Sequence, residues 1–350
     1  VYLILNFKRG GVTKMKIRLI STVFLCALVF SALATIPSAH AQKVLKLASF
    51  VPPIYVLHKP IFLKLAADLK AATNGSVNIK VYASGELGKG PLEQYQRAVK
   101  RIAEISYGLQ GYTSPLFPRN LLVELPGVAD NPEDATRKIW KVMDKYLRAE
   151  YRGTRPLAAF ATAPAVIMSS TKPVHSPSDM KGMKIRVPSK SAAAVVKAYG
   201  ATPVLMPATK VYTSMSTGVV DGALMGADSL LIFKLIETTK FVTTGLPEMV
   251  TEIFLTMNQK AYDELSASEK AALDNLTGKG LSLRASKGLE NFGKKALAIF
   301  GKGKGKKIIS LTPENRKKFD ALANKAVTDL VKEFESKGVP ASKIIAAMKY

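Results

Sequence analysis

Thiols are almost absent from this chain: of 350 residues a single one is cysteine, Cys26, and it sits inside an apolar run near the start. Beyond residue 41 there is none, which excludes disulfide stapling, a cysteine nucleophile and a Cys-type zinc site from the body of the protein. Histidine is nearly as scarce. His58 and His175, the two beyond residue 41, lie far apart, each near prolines and neither with a metal partner four residues on. No G-x-S-x-G, H-E-x-x-H or Walker pattern occurs, so no catalytic set, metal site or cofactor is expected. Acid pairs such as Glu133-Asp134, or Asp228 with Glu237, would serve a glycosidase only at a separation that spacing does not specify, and they read as caps or surface charge. The sole tryptophan, Trp140, falls inside a helical stretch and reads as core packing.

Acidic residues are also few, 26 against 51 lysines and arginines. Residues 1–41 carry five of the basic ones and no acid, so without them the net charge is +20. Such an excess suits nucleic acid, a membrane surface or an anionic ligand. The cations, however, are spread along every expected helix, with one dense run from Gly301 to Lys307. That run has no interleaved aromatics and no Ser or Thr after its lysines, and Lys306 stands where a dinucleotide fingerprint needs glycine. It is expected to be a solvated loop, and nucleic acid is not an expected partner.

What the chain does have is an export pattern. Met15-Lys16-Ile17-Arg18 forms a basic head, Leu19 to Leu33 an almost unbroken apolar stretch, and Ala39-His40-Ala41 a small-residue cleavage site. Residues 1–14 are read as untranslated, 15–41 as a signal peptide cleaved after about Ala41, and the mature protein as periplasmic. The apolar stretch falls short of the ~20 residues of a spanning helix, and no later segment is both long and free of charge.

Beyond Gln42, strand and helix patterns alternate. Val44–Ala48 and Val77–Val81 read as strands around a helix that stops at Asn74-Gly75. Leu92, Tyr95, Val99 and Ile102 have helical spacing, and Ile105-Ser106-Tyr107 returns as a strand. Asn131 caps a long helix with Pro132 in its first turn, running to near Gly153. Strands are expected again at Val166–Ser169, Lys184–Val187, Val219–Leu224 and Ile253–Met257, with helices near Ser189–Ala198 and Thr209–Thr217. Ser266-x-x-Glu269 is a capping box, and Phe319, Leu322, Ala326, Leu330 and Phe334 stripe a last long helix. The alternation specifies an α/β fold.

One stretch is distinctive: Pro177-Ser178-Asp179-Met180-Lys181-Gly182-Met183-Lys184-Ile185-Arg186-Val187-Pro188. It resembles the P-x-D-l-K-G-x-K-x-R-v-p signature of the DctP-type solute receptors of tripartite ATP-independent periplasmic (TRAP) transporters. Leu47-Ala48-Ser49-Phe50, Thr73-Asn74-Gly75, Tyr82 to Gly88, Tyr212 to Gly222, Met257-Asn258 and Leu265-Ser266-x-x-Glu269 follow the family in register.

The resemblance implies a two-lobed periplasmic-binding-protein flytrap (type II-like) with a long connecting helix and C-terminal helices, which performs no chemistry. Lobe I would hold 42–163 plus about 253–295, and lobe II 164–252 plus about 296–350. It implies that Arg186 grips the ligand carboxylate with its planar fork, which a lysine does not have. Glu86, Gln110, Tyr112, Met206, Asp228 and Phe254 are further expected ligand contacts. The partners implied are a small organic acid and the membrane permease subunits of a TRAP transporter, with the receptor itself a monomer or weak dimer. A binding protein of an ATP-driven transporter or sensor is the alternative, and an exported hydrolase the third. Two departures from the family bear on the ligand. No second arginine stands in Phe160–Ala165, and Ala223-Leu224-Met225-Gly226 replaces a polar Glu-Asn-Pro turn. A pocket with so few polar anchors suits a monocarboxylate with an apolar or aromatic body.

Overall fold

Largely apolar stretches of four to eight residues build two separate sheets in a computed structural model that describes residues 42–88 and 90–349. The expected export signal lies outside the described residues. The first sheet has the order β2 (Val77–Tyr82), β1 (Lys43–Ala48), β3 (Ile105–Leu109), β10 (Glu252–Asn258), β4 (Thr154–Ala161). The second runs β11 (Lys307–Ser310), β9 (Phe241–Thr244), β5 (Ala165–Ser169), β8 (Gly222–Gly226), β6 (Lys184–Val187), β7 (Thr202–Leu205). Each combines parallel neighbours joined through helices with antiparallel ones: β1 pairs parallel with β2 and β3, while β10 pairs antiparallel with β3 and β4.

Both faces of each sheet are covered, and the period of two divides the side chains between them. In the second sheet Ile167, Ile185, Val187 and Leu224 pack on one side, and Val166, Met168, Ala223, Met225 and Val242 on the other. In the first, Leu45, Leu47, Ile79, Ile253 and Leu255 share a core with helix α1 (Lys64–Ala72), whereas Ala159, Ala161 and Phe254 share one with α2 (Pro132–Val142). Asn131 caps α2 by accepting the Asp134 backbone N–H, with Pro132 in the first turn. The expected run to Gly153 is broken into a wider turn at Met143–Leu147 and a tight one at Arg148–Glu150.

The chain passes between the sheets directly from β4 to β5 and from β9 to β10. Thr162 and Thr251 tie the two crossings together: the Thr162 N–H donates to the Thr251 carbonyl and the Thr251 N–H to Thr162 Oγ1, each at 3.0 Å. Beyond α3 (Lys190–Ala198), the 24-residue α4 (Gly278–Gly301) lies against α2 and β4 before the chain enters β11. Of the C-terminal helices, α5 (Pro313–Ser336) packs on α3. The last, α6 (Ala341–Lys349), seats on α2, where Ile344 and Met348 join the cluster that holds Ala159, Ala161 and Phe254 of the first sheet.

Candidate ligand-binding site

The Pro177–Pro188 stretch folds as cap, turn and strand, and each of its polar letters has a local cause. Asp179 accepts the backbone N–H groups of His175 and Ser176, both at 2.9 Å; against the opposing effect of burial these bonds hold its carboxyl below the ordinary range. Gly182 has φ +79, a left-handed turn that a side chain disfavours. In β6, Lys184 is exposed while Ile185 and Val187 point into the core. Alternation then turns Arg186 to the opposite face, toward the gap between the sheets.

There the Arg186 guanidinium is 1% exposed and, among the described residues, has no acidic group within ion-pair distance. Its Nε donates to the Met206 carbonyl at 2.9 Å, and Nη2 lies 3.4 Å from the Tyr112 hydroxyl. Burial pulls its pKa down, and Tyr112 pulls back up. A buried cation without a counter-charge is costly, by several kcal/mol. An anion delivered into the gap would relieve that cost.

The gap is a cavity of about 470 Å³, counting its open mouth. Its walls are chiefly aromatic and aliphatic: Phe50, Tyr55, Tyr107, Tyr112, Phe233 and Ile253 are among them. Phe50 stacks on Tyr107 with centroids 5.6 Å apart, and the Tyr55 and Tyr107 hydroxyls are 2.5 Å from each other. Burial raises the pKa of both phenols. Asp228 lines the same cavity, and burial pushes its carboxyl up to about 7 against only its own backbone N–H.

Arg186, Tyr112 and Asp228 are therefore brought together, and the other expected contacts are not. Glu86 is exposed on the turn after β2. Gln110 is fully buried and donates to the Tyr151 hydroxyl at 2.8 Å. Met206 acts through its carbonyl on Arg186, while its side chain packs with the second sheet's core. Phe254 faces away, packed edge-on against Tyr95 and stacked with Phe117, because Thr251 and Ile253, one residue out of phase, take the cavity face of β10.

Behind the cavity lies a cluster of buried acids. Glu124 accepts from Ser189 Oγ at 2.7 Å and from the Glu252 N–H at 2.9 Å, and burial pushes its carboxyl up to about 7. Both Glu252 side-chain oxygens lack a partner among the described residues, and burial, then Glu124 and Glu150, raise its pKa well above the usual range. No group of three or more metal-ligating side chains occurs among the described residues.

The profile of the bacterial extracellular solute-binding proteins, family 7 (DctP), matches residues 47–336. The chain belongs to that family. Among family 7 relatives, a solute-binding protein of Albidiferax ferrireducens is 25% identical over 286 residues, covering 80% of this chain and 82% of the relative. The C4-dicarboxylate-binding periplasmic protein DctP of Rhodobacter capsulatus is 27% identical over 206 residues, 58% of this chain and 61% of the relative. A marine metagenome TRAP solute binding protein specific for aromatic acid ligands, solved with 3-hydroxybenzoate, superposes with a TM-score of 0.84 at 26% identity, covering 88% of this chain and 97% of that one. A TRAP receptor of Bordetella bronchiseptica, solved with both mandelates, shares the fold with a TM-score of 0.79 at 24% identity, covering 87% of this chain and 97% of that one. Family 7 members are solute receptors, and the two-lobed binding-protein architecture of this chain is theirs.

Sequence patterns missed Tyr55, Tyr107 and Phe233 as walls of the family 7 cleft. Tyr107 had a usable signal, since it lies near the carboxyl end of an expected strand, where open α/β sheets place ligands.

Proposed function

We propose that this family 7 chain is an exported receptor that binds a small aromatic monocarboxylate in the cleft between its sheets and hands it to a TRAP permease. The observation that carries the reading is Arg186: a guanidinium 1% exposed, without an acidic partner among the described residues, on the wall of an aromatic-lined cavity. The ligand carboxylate takes the fork of Arg186 and supplies the missing charge. Tyr112 completes the grip. Its oxygen accepts from Ala208 N–H and faces Arg186 Nη2, so its own proton is free to point at the bound anion. Phe50, Tyr107 and Phe233 cover the ring.

The aromatic-acid specificity of the marine metagenome protein, 26% identical over nearly its whole length, supports this ligand class. The absence of a second cavity arginine argues against a dicarboxylate, whose far carboxylate would meet Asp228 instead. The protein performs no reaction on its ligand. It acts in the periplasm after cleavage near Ala41, as a monomer or weak dimer, with lobes built on the two sheets closing over the solute. No helix among the described residues is long and apolar enough to cross a membrane.

Titration calorimetry with benzoate tests the reading. Wild type should bind it with Kd in the micromolar range or tighter, and Arg186→Ala should show no heat at millimolar ligand. Equal affinity of the variant would remove Arg186 from its role, and tight binding of succinate in preference to benzoate would overturn the aromatic-monocarboxylate reading.

A further inference from the structure

Arg186 and Asp228 both line the cavity, one from β6 and the other from just after β8. β6 and β8 are parallel neighbours with Arg186 opposite Ala223, so Gly226 stands ~10 Å further along the strands, and the Asp228 carboxyl lies beside Gly226. Asp228 is the one acidic side chain of the lining and is 5% exposed. Its Oδ1 is also the only side-chain polar atom of that lining that is buried without a hydrogen-bond partner among the described residues. An orphaned oxygen of this kind costs free energy unless something bound at the site satisfies it. The groups beside it are the Tyr55 and Tyr107 phenols, whose hydroxyls already bond each other, and no cation offsets it.

We propose that Asp228 recognises a hydroxyl on the end of the ligand remote from its carboxylate, so that the site selects hydroxylated aromatic monocarboxylates over the unsubstituted acids. The inference rests on the aromatic-carboxylate reading above and adds a second anchor to it. A phenolic hydroxyl donates to Oδ1, and because burial pushes the carboxyl up to about 7, its protonated form can also donate back to the phenol oxygen. An ammonium group would suit an ionised aspartate, which the apolar walls disfavour. A bare ring end leaves Oδ1 buried and unpaired, the condition under which polar sites reject an analogue lacking a hydroxyl.

The test measures Kd by calorimetry for benzoate, 3-hydroxybenzoate, 4-hydroxybenzoate and 4-(aminomethyl)benzoate on wild type, Asp228→Ala and Asp228→Asn. Wild type should prefer one of the two hydroxybenzoates to benzoate by roughly tenfold or more. In Asp228→Ala the ratio of the two constants should collapse toward one, and Asp228→Asn, which still accepts from a hydroxyl, should retain most of it. Benzoate bound by wild type as tightly as either hydroxybenzoate, a ratio unchanged in Asp228→Ala, or tightest binding of the aminomethyl compound would each overturn the inference while leaving Arg186 as carboxylate anchor. If no member of the series binds, the aromatic-carboxylate reading fails and this inference with it. The wild-type series alone decides the matter should the alanine variant fold poorly.

Discussion

The Tyr112 hydroxyl, carried on the loop after β3, accepts the backbone N–H of Ala208 at 2.8 Å across the cleft. The same oxygen lies 3.4 Å from Arg186 Nη2, so one side chain on the first sheet's side joins a backbone group and the buried guanidinium on the other. Gly111 beside it approaches just as closely, since a Cβ there would come within 2.8 Å of Ser189 Cβ and 3.1 Å of the Pro188 carbonyl. These contacts describe a cleft whose halves touch.

Tyr112→Phe keeps the ring and removes both bonds. Net hydrogen bonds contribute about 0.5–1.5 kcal/mol each, so ligand affinity should fall by roughly 5- to 150-fold. Stopped-flow fluorescence should place most of the change in the dissociation rate. A variant that releases ligand at the wild-type rate would show that Tyr112 does not hold the closed state.

Arg186→Met should separate binding from stability. Replacing a buried, uncompensated charge by an apolar side chain is commonly neutral or stabilising. The unliganded variant should therefore melt at or above the wild-type temperature, while the rise produced by a saturating aromatic acid disappears. Arg186→Lys keeps charge and loses the fork, and should bind roughly 100-fold more weakly. A large drop in the melting temperature of the unliganded methionine variant would instead assign Arg186 a structural role.

Arg186 was legible in the sequence because its neighbours are: Asp179, Gly182 and the alternation of β6 each do a local job that shows in the letters. Phe254 was not, because a strand's face is fixed by what packs on either side of it. Phe117 and Tyr95 claim residue 254, leaving 253 to the cavity. The four-residue strands β7, β9 and β11 carry no periodic signal, and β7 contains Pro203, which an edge position tolerates. β8 begins three residues after the expected start, since Asp221 bonds the Lys184 N–H and holds Val219-Val220 in the preceding turn. The acid cluster brings Glu252 to Glu124 and Glu150, each more than a hundred positions before it, and no spacing announces that.

Gly226 is the position where β8 passes closest to Asp228. A Cβ built there would stand 2.4 Å from Asp228 Oδ1 and 3.0 Å from the Ala163 carbonyl, and the second of these is backbone that does not move aside. Gly226→Ala should cost about 1–3 kcal/mol by overpacking and push the carboxyl into the cavity. Melting measurements with and without ligand check both effects: a lower baseline and a smaller ligand-induced rise. A variant as stable and as responsive as wild type would mean that Asp228 has room to swing away.

Acidity should stabilise the protein down to about pH 5. Asp228 and Glu124 are pushed up to about 7 by burial, and Glu252 moves the same way. Glu124 and Glu252 face each other, Glu252 also faces Glu150, and Asp228 faces only phenols. Glu248, facing Arg316, Glu290 and Asp130, shifts likewise. Between their unfolded values, near 3.8 for Asp228 and 4.5 for the glutamates, and about 7 the native state holds protons that the unfolded chain has released. Their contribution is thus complete below that window and lost as pH rises through it. Glu269 has the opposite sign: despite partial burial, bonds from Lys43, Ser266 and Ser76 lower it to about 2, so its contribution is present above about 4.5 and lost toward pH 2. The melting temperature should peak near pH 5 and fall by roughly 5 °C or more by pH 8. Asp228→Asn, fixed in the neutral form, should flatten part of that decline. A melting temperature that climbs between pH 5 and 8 in wild type would show these carboxyls to be ionised, and paired, in the folded protein.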